Sequence, residues 1–152
     1  MKFYNTIGGK KEIFSSESKN VGLYICGPTV YSDTHLGHAK SYVSFDVLKR
    51  WLIYRGYKVR HIQNFTDVSD ETALGASKQG IDELEFTKKY EDEFLDKMKL
   101  LCNISATKYT RASDFVQQIG EATKKLVDSD EAYQTEEGIF LKIKPEEHGK
   151  LL

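Results

Sequence analysis

An α/β fold built on a parallel β-sheet is predicted by three stretches of this sequence. Val21 to Cys26 and Lys58 to Phe65 read as strands, and Leu36 to Arg55 between them reads as a helix. Two strands joined by a crossover helix in that length make a right-handed βαβ unit. Ligands of such sheets bind outside the carboxyl ends of the strands. Here those ends are Cys26 and the Asn64-Phe65-Thr66-Asp67 run, which the topology sets side by side.

Composition narrows the class. The chain has 152 residues, 39% hydrophobic and 30% charged, which suits one globular domain. Its net charge of −1 offers no basic surface in bulk. Nucleic-acid contact would need a local patch or another domain. No apolar run approaches the roughly 20 residues that span a bilayer, and no basic N-terminus leads into an apolar h-region. No membrane partner is expected. Cys26 and Cys102 make no disulfide framework, so a reduced, cytoplasmic protein is expected.

In chain order, Phe3 to Phe14 reads as a hairpin around Gly8-Gly9, with a frayed terminus as the plain alternative. Val21 to Cys26 lacks strict alternation and reads as buried on both faces. In Leu36 to Arg55, Val43, Val47 and Trp51, with Leu48 and Leu52, line the expected inner side, and Gly56 stops the helix. Asp67 to Gly80 reads either as a short helix or as a loop. Asp82 to Leu101 is the clearest helix, with an Asp82/Glu85 capping box and a Leu84, Tyr90, Phe94, Met98, Leu101 stripe. Ser113 to Asp128 reads as a helix with Val116, Ile119 and Leu126-Val127 on one side. Ile139 to Ile143 reads as a strand with Ile139, Leu141 and Ile143 inward. In organisation, residues 1–20 read as a ribbon, 21–80 as the first half of a Rossmann-like α/β fold, and 81–152 as a helical stretch with a following strand.

The chemistry gathers in Leu23 to His38, LYICGPTVYSDTHLGH. A strand delivers a loop into a helix N-terminus, where unpaired N–H groups and the helix dipole favour an anion. His35 and His38 can donate to phosphate oxygens without a long flexible stem. Those are parts suited to holding ATP while its α-phosphate is attacked. Other candidates read more plainly. A Cys at a strand end is usually a small buried hydrophobe, Cys102 reads as packing, and His61 as structural. Asn64 to Asp67 also reads as strand-ending turn chemistry. Lys97-Met98-Lys99 lies inside a helix and is rejected as a catalytic loop. His148 is assigned nothing.

HLGH resembles the HIGH motif of class I aminoacyl-tRNA synthetases, and CGPTVY ahead of it resembles the cysteinyl-tRNA synthetase family. KFYNTIGGKKEIF, HIQNFTD, GIDELEFTKKYEDEF, YQTEEGIFLKI and EEHGKLL extend the likeness over nearly the whole chain. The resemblance implies a Rossmann-like (HUP-type) half-domain with a helical insertion and a short N-terminal β-ribbon. It implies His35 and His38 as catalytic groups on the ATP α-phosphate. Pro28, Thr29 and Gly37 join them in the ATP site, with Gly37 under the adenine. Cys26, Gly27 and Thr66 fall to the cysteine side, where Thr29 also lines the pocket. Cys26 is implied as the first zinc ligand, in a site whose other ligands follow this chain, so weak or absent zinc binding is expected. ATP with magnesium, cysteine and tRNA are the implied substrates, acted on together with the synthetase's C-terminal half.

Two positions depart from the family. Glu71 stands where IDDK would place Lys, and Phe115 replaces the His of RA(S/T)EHI. Both remove positive or titratable character where substrates would approach. The resemblance puts the second half of the fold, with the KMSKS loop, outside these 152 residues; one well-placed donor there is expected to be worth ~3 kcal/mol of transition-state stabilisation. Two alternatives stay open: the cysteine ligase of mycothiol synthesis, and a stand-alone nucleotide-binding module without turnover.

Overall fold

The computed structural model describes residues 1–143; the EEHGKLL motif and His148 lie outside the described residues. The elements are β1 (Lys2–Asn5), β2 (Lys10–Ile13), β3 (Asn20–Ile25), α1 (Leu36–Tyr54), β4 (Lys58–Phe65), α2 (Asp70–Gln79), α3 (Glu83–Leu100), β5 (Lys108–Arg111), α4 (Val116–Asp128), β6 (Ala132–Gln134) and β7 (Ile139–Leu141). They fall into two compact units, Glu17–Asp114 and Met1–Ser16 together with the chain from Phe115 onward.

In the second of these, β1 and β2 pair antiparallel, with Phe3 edge-on to Phe14 at 5.4 Å. β6 and β7 form a hairpin closed by the Thr135 N–H donating to the Gly138 carbonyl at 2.8 Å. The strand expected over Ile139 to Ile143 ends at Leu141, and Ile139, Leu141 and Ile143 are exposed. Three residues in a two-stranded ribbon have one neighbour to pack on, too little to bury alternate side chains.

Glu17–Asp114 holds the parallel sheet, ordered β3-β4-β5. β5 escaped the sequence reading because KYTR is short and polar. Its register places Tyr109 beside Gln63 and Arg111 beside Phe65. Both crossover helices meet one face of this sheet: Lys49 of α1 reaches His61, and Phe94 of α3 meets Phe65 edge-on at 5.6 Å. The core is Ile25, Val30, Tyr42, Phe65, Phe94 and Met98. β3 was expected to be buried on both faces. It alternates instead: Val21 and Ile25 are buried, whereas Tyr24 is 65% exposed.

α1 also turns differently from expectation. Leu52 is buried as expected and Leu48 half-buried, but Tyr42 and Lys49 take the rest of the inner side, while Val47 is 61% exposed and Val43 and Trp51 also meet solvent. The inner sheet face carries polar His61 and Gln63, and the polar Lys49 complements it. Trp51 is accommodated outside, stacked on Tyr54 at 5.6 Å. In α3 the inward side is Phe86, Thr87, Glu91, Phe94 and Met98; Leu84 and Leu101 are exposed. The Asp82 carboxylate caps α3, accepting from the Leu84 and Glu85 N–H groups at 2.9 and 3.3 Å, but the expected box is one-sided, with no bond from the Glu85 side chain back to Asp82 among the described residues. α2 settles the choice over Asp67 to Gly80 in favour of a helix. The Ser69 Oγ accepts from Thr72 N–H at 3.2 Å, and Gly80 closes the helix at φ +66°. Among the described residues no helix is long and apolar enough to cross a membrane.

Lys49 and His61 form a buried polar pair. The Lys49 ammonium donates to the Ser105 carbonyl at 2.7 Å and the Ile104 carbonyl at 3.3 Å, and lies 3.4 Å from His61 Nδ1. Burial, and then the Lys49 charge, push His61 down from 6.5 to about 4. Between those values the unfolded chain binds more protons than the folded one, so stability falls as pH falls. His61 is thus expected to cost about 3 kcal/mol between pH 6.5 and 4. Urea unfolding across that range should show the slope, and His61→Gln should flatten it.

Candidate functional site

The corner begins where β3 and β4 converge. The Gly27 N–H donates to Asn64 Oδ1 at 2.8 Å, and the Tyr24 hydroxyl donates to the same oxygen at 2.9 Å. A Cβ at Gly27 would lie 1.4 Å from the Asn64 carbonyl oxygen, so only glycine allows this approach. Beyond it the strands continue through a bridge between Thr29 and Thr66. The Thr66 N–H donates to the Pro28 carbonyl at 3.1 Å, and the Val30 N–H to the Thr66 carbonyl at 3.2 Å. The structure therefore joins Gly27, Pro28, Thr29 and Thr66, with Pro28 buried. Asn64 thus ties the ends of β3 and β4 together through one side-chain oxygen.

Cys26 is exposed rather than packed as a small hydrophobe. Its carbonyl accepts from the Tyr42 hydroxyl at 3.1 Å, and burial, with Cys26 adding to it, raises the Tyr42 phenol above its usual range. Cys102 is also exposed, at φ +58°, and its packing reading is corrected: Leu101 has already ended α3, which turns the residue outward. A zinc site needs at least three protein donors. Among the described residues no group of three His, Cys, Asp or Glu side chains converges. Cys26 is thus a single donor without converging companions among the described residues.

His35 and His38 cap α1 reciprocally. The Gly37 N–H donates to His35 Nδ1 at 3.1 Å, and the His35 N–H donates to His38 Nδ1 at 3.3 Å. The rings stack at 3.9 Å. An Nδ1 that accepts keeps its lone pair, so each neutral imidazole carries its hydrogen on Nε2. Burial, and then His35, lower the pKa of His38, against an opposing pull from Glu93. The motif thus presents two neutral rings with Nε2–H donors at a helix N-terminus. Gly37 has a local reason of its own: a Cβ there would meet His35 Cε1 at 2.9 Å and press the ring off its cap. Thr34 pins the approach, its N–H and hydroxyl donating to Glu93 of α3 at 3.1 and 2.6 Å.

Two further anchors escaped the sequence reading. Asp67, buried, accepts from the Ser113 N–H at 3.0 Å and from its hydroxyl. Arg111 forks onto buried Glu91, its Nε donating to Oε2 at 2.8 Å. Asp67 follows directly on Thr66, so these bonds tie β5 and α3 to the strand end. The Glu71 departure has a local account. Glu71 lies in the first turn of α2, where its own N–H and the Ser69 side chain hold its carboxyl below the usual range.

The model of the family described as tRNA synthetases class I (C) catalytic domain matches residues 12–152. A cysteine–tRNA ligase of Dehalococcoides mccartyi is 41% identical over 99% of this chain and 34% of its own length. One from Finegoldia magna is 40% identical over 99% and 33%, and one from Thermococcus onnurineus 38% over 99% and 32%. The chain spans about a third of the length of these curated relatives. Among solved structures, a Mycobacterium tuberculosis methionyl-tRNA synthetase in complex with methionyl-adenylate superposes with a TM-score of 0.63. It is 20% identical, with 74% of this chain and 23% of that one covered. An Agrobacterium radiobacter LeuRS–tRNA–LeuAMS complex gives 0.63, at 22% identity over 76% and 15%. These likenesses support the Rossmann-like α/β fold. On the match of its sequence from Glu12 onward, this chain belongs to the class I (C) tRNA synthetase catalytic-domain family.

Proposed function

We propose that this chain forms the first part of the catalytic domain of a cysteine–tRNA ligase, with ATP and cysteine meeting at the corner between Cys26, His38 and Thr66. The reciprocal cap of His35 and His38 carries this reading, because it directs two neutral N–H donors to a helix N-terminus. ATP, entering with its magnesium ion, sets its α-phosphate against those donors. Pro28, Thr29 and Gly37 complete the nucleotide side; Cys26, Gly27 and Thr66 serve the cysteine side. A carboxylate oxygen of cysteine attacks the α-phosphorus, the bond to the bridging oxygen breaks, and pyrophosphate leaves. The Nε2–H groups need not give up a proton; they stabilise charge gathering on the phosphate oxygens. A hydroxyl at the 3′ end of tRNA then attacks the cysteinyl carbonyl and AMP leaves. The remaining length found in the relatives is the expected partner for turnover, in the cytoplasm.

The test separates cap from donor. In His35→Asn and His38→Asn the amide can accept as Nδ1 does, while the Nε2–H is lost. Both variants should unfold within about 1 kcal/mol of the parent. Each should bind ATP at least about tenfold more weakly in calorimetric titration, the loss of one charge-assisted hydrogen bond. ATP affinity unchanged in both variants, or no saturable ATP binding by the parent chain, overturns the reading.

A further inference from the structure

A short loop, Tyr31 to Thr34, carries the chain from the β3–β4 corner into α1. At its start the Val30 N–H is fixed on the Thr66 carbonyl at 3.2 Å, and at its end His35 is the N-cap of α1. Tyr31, Ser32 and Asp33 are exposed, as are His35, Leu36 and Gly37 beyond; Thr34 alone in this run is half-buried. Among the described residues the loop is bonded to another element only through Thr34. Its hydroxyl donates at 2.6 Å and its N–H at 3.1 Å, both to Oε2 of Glu93 in α3. A backbone and a side-chain donor of one residue on one acceptor hold that residue's backbone and rotamer together.

Thr34 is the residue before the cap. The His35 N–H, one peptide on, donates to His38 Nδ1 at 3.3 Å, and the Gly37 N–H returns to His35 Nδ1 at 3.1 Å. Both bonds are exposed, and bonds of this kind contribute only about 1 kcal/mol each. The stacked rings therefore depend on where the chain enters them.

The packing of α3 does not call for a carboxylate at 93. Its inward side is Phe86, Thr87, Glu91, Phe94 and Met98. The Glu93 side chain is 26% exposed and turns to the entry of α1, with the Lys97 ammonium 3.8 Å from its other oxygen. Its charge reaches the site: burial and then His35 lower the His38 pKa, and the Glu93 carboxylate pulls the other way. A negative charge beside a seat for phosphate repels that ligand. What Glu93 holds, rather than what it attracts, accounts for its place.

We propose that Glu93 is a positioning residue for the two histidines: through Thr34 it fixes the loop entering α1 and so keeps the His35 and His38 rings in register for one phosphate. The ligand in this inference rests on the ATP reading; the geometry does not.

Glu93→Leu and Glu93→Gln remove the same charge, and only Gln keeps an acceptor for Thr34, so their difference isolates the hydrogen bonds. Circular dichroism of the 152-residue chain establishes folding in each variant. Without ATP, nuclear Overhauser contacts between the His35 and His38 ring protons should persist in Glu93→Gln and vanish in Glu93→Leu. With ATP, Glu93→Leu should bind at least about tenfold more weakly than Glu93→Gln in calorimetric titration. Adenosine, which lacks phosphate, should not distinguish the two. Thr34→Val and Thr34→Ser repeat the comparison from the donor's end, Ser keeping the hydroxyl, and serve alone if Glu93→Leu does not fold. There Val should be at least about threefold the weaker. The proposal is overturned if the ring contacts survive in Glu93→Leu, if neither pair differs in ATP affinity, or if adenosine loses as much as ATP. A parent chain that binds no ATP overturns the ATP reading alone, and the ring contacts then decide the role of Glu93.

Discussion

Gly27→Ala is expected to destabilise Glu17–Asp114 by about 3 kcal/mol or more and to abolish ATP binding. The new Cβ would sit 1.4 Å from the Asn64 carbonyl oxygen and 2.6 Å from its carbonyl carbon. The clash is with backbone, so no rotamer change relieves it. β3 and β4 must separate at their carboxyl ends, which breaks the Gly27–Asn64 bond and strains the Thr29–Thr66 bridge. The same movement displaces the Cys26 carbonyl from Tyr42, and with it the approach to His38. Trp51 is the sole tryptophan and lies in α1, so its fluorescence reports unfolding of this unit. A midpoint in urea equal to the parent's would refute the expectation.

Arg111→Met should cost about 3–5 kcal/mol, because it strands a buried carboxylate. Glu91 is 3% exposed and takes both of its hydrogen bonds from the Arg111 fork. β5 would loosen from α3, and Ser113 would shift where it holds Asp67 beside Thr66. The double change Arg111→Met with Glu91→Leu removes the stranded charge and should recover most of the loss. Urea unfolding of the single and double variants measures the difference; a single variant as stable as the parent would contradict the ion pair's role.

The corner was legible in the sequence because its determinants are local. A strand, Gly27-Pro28 and HLGH follow one another within a few residues, and the α1 cap is made by residues three apart. β4 was readable to its ends because alternation and the Gly56 stop bound it on one side and Thr66-Asp67 on the other. β5 was not readable: four polar residues become a strand only because β4 offers a free edge. Part of the inner face of α1 was misassigned because apolar spacing names a stripe without naming its partner. His61 and Gln63 on the sheet made Lys49 the inward residue.

By itself the sequence determined the βαβ order, the Asp82 cap of α3 and the place of the two histidines, since each depends on neighbours along the chain. Only the tertiary structure decided the Arg111–Glu91 and Asp67–Ser113 anchors and the buried seat of Lys49 against Ser105. These arise from residues twenty to fifty-odd positions apart, such as Arg111 with Glu91 and Lys49 with Ser105. Their pairing costs chain entropy that sheet formation and helix docking offset.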